Sequence, residues 1–185
     1  MKKLSLCLTA VICFSLLMNI AACTDEAAEC RKLYAADQQS EAIPFCEKAC
    51  NQNDGEACFF LGLFYSSGVI QDATQRLKNY LKAKTYLEKA CDLNNGYGCI
   101  LLGELYDNGQ GVRQDDQMAK AYYEKACDQN NGSGCFRLAR HYERGHVLKN
   151  SQTAKGYAKE YYGKACYLGD KNGCEDYQKL DKKGY

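Results

Sequence analysis

Apolar positions along this chain follow two periods at once. Locally they fall three and four residues apart, the spacing that places side chains on one face of an α-helix. Over longer distances the whole pattern returns every 36 to 41 residues, as measured from Cys50 to Cys91, Cys91 to Cys127 and Cys127 to Cys166. In each copy an Ala (Ala42, Ala83, Ala119, Ala158) is followed by an aromatic (Phe45, Tyr86, Tyr122, Tyr161), a Lys (Lys48, Lys89, Lys125, Lys164), an Ala (Ala49, Ala90, Ala126, Ala165) and a Cys. The aromatic, both alanines and the Cys share a face, which predicts an amphipathic helix, B, ending just after that Cys. The Lys falls near its C-terminus, where the helix dipole favours a cation. A second stripe follows: Leu61, Gly62, Tyr65 and Gly68; Leu102, Gly103, Tyr106 and Gly109; Leu138, Ala139, Tyr142 and Gly145. Leu and Tyr lie on one face of a second helix, A. The small residue between them admits helix B of a neighbour, and the last Gly ends the helix.

Between the two helices stands a turn signal, Asp54-Gly55, Asn95-Gly96 and Asn131-Gly132, with Asp170 in the last copy. Asx-Gly forms tight turns and can end a helix through a left-handed residue. Each unit is therefore a helix–turn–helix. A period of this length indicates stacked hairpins, each unable to bury its apolar face alone. The first unit is irregular. Cys30 and Leu33 open its helix A, Asp37 to Ser40 form a tight turn, Ser40 is the expected N-cap, and Pro44 is expected in the following first turn. Cys174, Tyr177 and Gly184 belong to a polar capping helix.

The hairpin reading gives the cysteines their partners. Cys50 and Cys58, Cys91 and Cys99, Cys127 and Cys135, and Cys166 and Cys174 are each C-x7-C. Each pair spans a turn, side by side, in a geometry a disulfide accepts. Cys30 and Cys46 lie equally far either side of Gln38 and meet across the first turn. Such cysteine density indicates an oxidising compartment, the periplasm or the cell surface.

The N-terminus agrees with export. Lys2 and Lys3 precede an apolar stretch from Leu4 to Met18, about as long as a signal-peptide core. It ends in Ile20-Ala21-Ala22-Cys23, which resembles a bacterial lipoprotein cleavage box. The expected layout is a lipoprotein-type signal at 1–22, a short lipid-anchored linker at 23–29 and the repeat array at 30–185. Of the 13 cysteines, Cys7 and Cys13 leave with the signal. Lipidation of Cys23 then leaves an even number, and all can pair. Plain cleavage before Cys23 gives a secreted protein with an odd thiol, whereas cleavage a few residues further on also leaves an even number.

Composition narrows the chemistry. The formal net charge is +1, which gives no reason to expect nucleic acid. There is no C-x2-C, and the histidines are His141 and His146, so the usual zinc spacings are absent and neither a metal nor a cofactor is expected. His141 stands at a helix A position held by Phe64 and Leu105, which suits packing as well as a catalytic base.

The string A-x-x-[aromatic]-x-x-K-A-C-x7-C-x-x-L-G-x-x-Y-x-x-G resembles the Sel1-like repeat family, a relative of tetratricopeptide repeats, over residues 30 to 185. It is nearest to a disulfide-rich branch of secreted cysteine-rich bacterial proteins. The departures are Lys171 at the turn Gly, and Gln178 and Asp181 in place of Gly and Tyr. The resemblance implies an all-α fold, a right-handed α/α solenoid, with helix A lining a concave groove. The groove stripe then falls at Glu56, Phe59, Leu63 and Ser66, at Tyr97, Ile100, Glu104 and Asp107, and at Ser133, Phe136, Arg140 and Glu143. Of these, Tyr97, Glu104, Asp107, Phe136, Arg140 and Glu143 are the candidate ligand contacts. The implied function is a binding module for a peptide, cell-wall fragment or host surface protein, held to a membrane by its lipid. The branch also implies penicillin binding with slow β-lactamase activity, which would make a β-lactam the ligand. Serine β-lactamase motifs (S-x-x-K, S-D-N, K-T-G) are absent, so no catalytic residue is assigned.

Overall fold

The computed structural model describes residues 25–67, 75–145 and 150–185. Cys23, Gly68 and His146 lie outside them. The described residues form helices and turns without a strand: α1 (Glu26–Ala35), α2 (Gln39–Asn51), α3 (Gly55–Ser66), α4 (Arg76–Asp92), α5 (Gly96–Asn108), α6 (Asp116–Asp128), α7 (Gly132–Glu143), α8 (Ser151–Tyr167) and α9 (Lys171–Lys182). Odd-numbered helices are the A row and even-numbered the B row. The A helices α3, α5 and α7 each pack on the B helices before and after them, and α1 and α9 pack on α2 and α8. The A helices also touch one another in succession, from α1–α3 to α7–α9, whereas no pair of B helices packs comparably. The A row is thus the inner row of a curved stack.

The hairpin turns are built by a residue the Asx-Gly reading had displaced by one. The left-handed residues are Asn53 (φ 67°), Asn94 (φ 62°), Asn130 (φ 57°) and Gly169 (φ 87°), each just before the Asx. The Asx itself donates its N–H to the carbonyl five residues back, as from Asn95 to Ala90 at 2.9 Å. This closes helix B in a Schellman turn. Its side chain then caps helix A: Asp54 accepts from Ala57 N–H at 2.8 Å, Asn95 from Gly98 at 2.9 Å, Asn131 from Gly134 at 3.1 Å and Asp170 from Gly173 at 2.9 Å. One short segment satisfies both helix ends.

The glycine after the Asx is the first residue of helix A, in ordinary helical conformation. Its role is contact with the next turn. A Cβ on Gly96 would stand 2.9 Å from the Cβ of Asn131, and one on Gly55 3.0 Å from that of Leu93. Lys171 opens α9, and among the described residues no further turn packs against it, so the Gly requirement lapses there.

All five expected disulfides form, Cys30–Cys46, Cys50–Cys58, Cys91–Cys99, Cys127–Cys135 and Cys166–Cys174, with Cα separations of 4.9, 4.8, 4.6, 4.5 and 4.5 Å. In the four short pairs the first Cys is the penultimate residue of helix B and the second the fourth residue of helix A.

Three local expectations are corrected. Ser40 is not an N-cap: α2 begins at Gln39, after Asp37 turns left-handed (φ 57°) and Gln38 N–H bonds back to Leu33 O at 2.9 Å. The backbone turn closes two residues before the Ser signal. Pro44 consequently lies beyond the first turn, inside α2, on an exposed side of the helix. The aromatic of helix B is only half-buried. The fully buried knob is the next residue, Cys46, Leu87, Tyr123 or Tyr162. Those knobs meet the small residue of helix A: a Cβ on Gly62 would stand 2.4 Å from Leu87 Cδ2, and one on Gly103 2.6 Å from Tyr123 Cε1. The half-buried aromatics instead stack on the helix A tyrosines, Tyr86 on Tyr65, Tyr122 on Tyr106 and Tyr161 on Tyr142, with centroids 5.6–5.7 Å apart.

The lysines near the ends of helix B also bind repeats together. Lys125 reaches Asp92 of the previous repeat at 2.8 Å, and Lys164 reaches Asp128 at 3.6 Å.

Candidate functional site: the inner face of the A row

The expected stripe divides into two patches. The first is a hollow of about 450 Å³ lined by Arg31, Tyr34 and Ala35 of α1, Glu56, Phe59 and Phe60 of α3, and Asn95 and Tyr97 at the start of α5. Tyr34 and Phe60 stack at 3.9 Å and 16°. Phe59 lies 5.6 Å from Phe60 and 5.9 Å from Tyr97. Tyr97 is 56 % exposed. Arg31 is held on the rim by Asp54, at 2.6 Å, and by Glu56. Sequence reasoning found Glu56, Phe59 and Tyr97 but not Arg31, Tyr34 and Phe60. Carrying the stripe back to Cys30 would have reached Arg31 and Ala35, because the irregular first unit keeps the same helix A register.

The second patch lies on α5, α7 and α8 and is charged. Glu104 pairs with Arg137 at 2.8 Å and Asp107 with Arg144 at 3.1 Å, both across from α5 to α7. Arg140 stands between those arginines and lies over the Phe136 ring, 5.8 Å from its centroid. Phe136 in turn lies 5.6 Å from Tyr162, whose hydroxyl donates to Glu143 at 2.8 Å. Tyr97 therefore belongs to the first patch, and Glu104, Asp107, Phe136, Arg140 and Glu143 to the second. Glu104 and Asp107 are engaged by the neighbouring repeat, and Ile100 is buried.

His141 is 1 % exposed. Its Nε2 lies 3.0 Å from the Asp116 carbonyl, its Nδ1 3.6 Å from Asp107, and its ring meets Tyr123 edge-on at 5.8 Å. It packs between helices, as Phe64 and Leu105 do. Burial pushes the phenols of Tyr123 and Tyr162 far up, helped by Asp107 and Glu104 for the first and by Glu143 for the second. Both are neutral hydroxyls at any ordinary pH. Among the described residues no cluster of three or more His, Cys, Asp or Glu side chains is placed to hold a metal.

A curved stack of helical hairpins, each stapled across its turn, with an inner face lined by one helix per repeat, is an α/α solenoid of the tetratricopeptide type. Sel1 repeats match residues 55–95, 96–131 and 132–170, each running from the first residue of a helix A to the Asx cap of the next. The chain belongs to the Sel1 repeat family. It is similar to the cysteine rich protein B of Helicobacter pylori, with 35% identity over 75% of this chain and 93% of that one and a TM-score of 0.54. A Sel1 repeat protein of Oxalobacter formigenes shares the fold at 23% identity, with a TM-score of 0.68 over 83% of this chain and 58% of that one. So does a protective antigen of uropathogenic Escherichia coli, at 24% identity and a TM-score of 0.63, over 78% of this chain and 29% of that one. No curated protein matches the chain. The five disulfides indicate an extracellular or periplasmic protein.

Proposed function

We propose that this is an exported binding module whose inner A-row face takes a segment of another protein. The observation that carries it is the open aromatic hollow, where Tyr97 holds more than half its surface out in solvent beside Phe59. Exposed aromatic rings on a rigid concave scaffold are the usual anchors of protein recognition. Selection of a random displayed peptide library on the oxidised protein should enrich sequences whose binding is lost with Tyr97→Ala. No enrichment, or binders indifferent to that substitution, would remove the reading. The hydrolase alternative has no comparable support, since His141 is packed and hydrogen-bonded within the core. A chromogenic β-lactam tests it: saturable turnover that falls with Arg140→Ala would revive it.

Export by a lipoprotein signal, with Cys23 acylated, belongs to the same proposal. It rests on the cleavage-box resemblance and on the pairing of all ten cysteines from Cys30 to Cys174. Cys23→Ser should move the protein from the membrane fraction to the soluble one. An unchanged membrane fraction would refute the anchor.

A further inference from the structure

We propose that the inner face reads a peptide at two points: a large apolar side chain in the hollow of repeats one and two, and a carboxylate at Arg140. This deepens the binding-module reading and rests on it.

The charges on the rim of the hollow are engaged with one another. Arg31 is satisfied by Asp54 and Glu56, so the rim is closed on itself. What remains is aromatic surface, with Tyr34 already stacked on Phe60 and Tyr97 forming an open wall. A Phe, Leu or Met side chain seated against these rings buries apolar surface and needs no hydrogen-bond partner there. An apolar anchor here and a carboxylate at Arg140 are side-chain chemistries that a single peptide carries together.

Arg140 supplies the second point. Along α7 and at its C-cap the guanidiniums of Arg137 and Arg144 each have a carboxylate from α5. Arg140, between them, has no carboxylate partner among the described residues, and its guanidinium carbon lies 5.8 Å from the centroid of the Phe136 ring. The nearby Glu143 accepts from the Tyr162 hydroxyl. A guanidinium resting on a ring keeps its edge donors free, and a carboxylate takes them in pairs. An incoming acid would complete a row of three pairs along one helix.

The two points are separated by one to two helix spacings, since the hollow lies between α3 and α5 and Arg140 is on α7. At about 9 to 10 Å per spacing and about 3.3 Å per extended residue, the apolar and acidic residues should be about three to six positions apart.

The test uses fluorescein-labelled peptides with one Phe and one Glu joined by Gly/Ser spacers of varied length, read by polarisation against the mature oxidised protein. Replacing Phe by Ala, or Glu by Gln, in the peptide should each weaken binding about tenfold. Tyr97→Ala should erase the preference for Phe, and Arg140→Gln the preference for Glu. Circular dichroism confirms that both variants stay folded. A Glu preference that survives Arg140→Gln, or affinity indifferent to both peptide changes, overturns the proposal. Library binders that need Tyr97 but lack an apolar–acid pair would also overturn it while leaving the binding module standing. Failure of any peptide to be selected would remove both. Competition by a cell-wall glycan free of peptide, stronger than by the peptides, would assign the hollow to sugar and overturn it.

Discussion

At the scale of single residues, this chain uses the absence of a Cβ for two different purposes. Gly62 and Gly103 make room for the buried knob of the next helix B, and Gly55 and Gly96 make room for the next turn. Gly103→Ala should force the Tyr123 ring aside inside a packed junction and cost about 1 to 3 kcal/mol. Gly156, in the middle of α8, has nothing within 4 Å of where a Cβ would stand. Gly156→Ala should therefore stabilise by about 0.5 to 1 kcal/mol, through backbone entropy alone. Urea titration of the two variants side by side checks both signs, and a destabilised Gly156→Ala would contradict this account of α8. The sequence spacing showed that small residues recur at these positions. It did not show which neighbour each one serves, because that neighbour lies 20 or more residues away.

At the scale of the helical hairpin, covalent and ionic links contribute very differently. A disulfide closing a loop as short as Cys91–Cys99 is worth about 2.5 kcal/mol in the chain-entropy account. The Lys125–Asp92 pair between hairpins has 42% and 75% of its side-chain surface exposed and is worth under about 1 kcal/mol. Replacing Cys91 and Cys99 together by Ala should thus lower stability several times more than Asp92→Asn. Added salt should weaken the ionic contribution and not the covalent one. Equal losses in denaturant titrations at low and high salt would refute this ordering. The hairpins were the most legible part of the sequence, since a disulfide across an eight-residue separation depends almost wholly on local geometry. The start of α2 was misplaced for the converse reason. Ser40 and Pro44 are local signals, and the backbone turn at Asp37 and Gln38 outweighed them.

At the scale of the whole molecule, the array needs its last helix. α9 covers α8, where Ala158, Tyr162 and Ala165 are fully buried. Its tail is fastened by Lys159 to Asp181 at 2.7 Å and by Lys155 to the Tyr185 hydroxyl at 2.7 Å. A solenoid exposes an apolar face wherever it is cut. Removing residues 171–185, with Cys166→Ser to avoid a free thiol, should expose that face and produce oligomers by size-exclusion chromatography together with a lower melting temperature. A monomeric truncated protein with unchanged melting would show that α9 is dispensable.

The sequence alone determined the helices, their pairing into stapled hairpins, all five disulfides and the repeat that ties the chain to its family. Each follows from spacing within one repeat, and spacing within a helix or across a tight turn translates directly into proximity. The tertiary structure decided how the inner face is used. The even stripe of candidate contacts became an aromatic hollow and a charged patch only once the curvature brought α1, α3 and α5 together and placed Glu104 and Asp107 against Arg137 and Arg144. Which side chains satisfy one another, and which are left facing solvent as Tyr97 is, depends on contacts between repeats. Those contacts are set by the packing angle of successive hairpins, a quantity that no local pattern encodes.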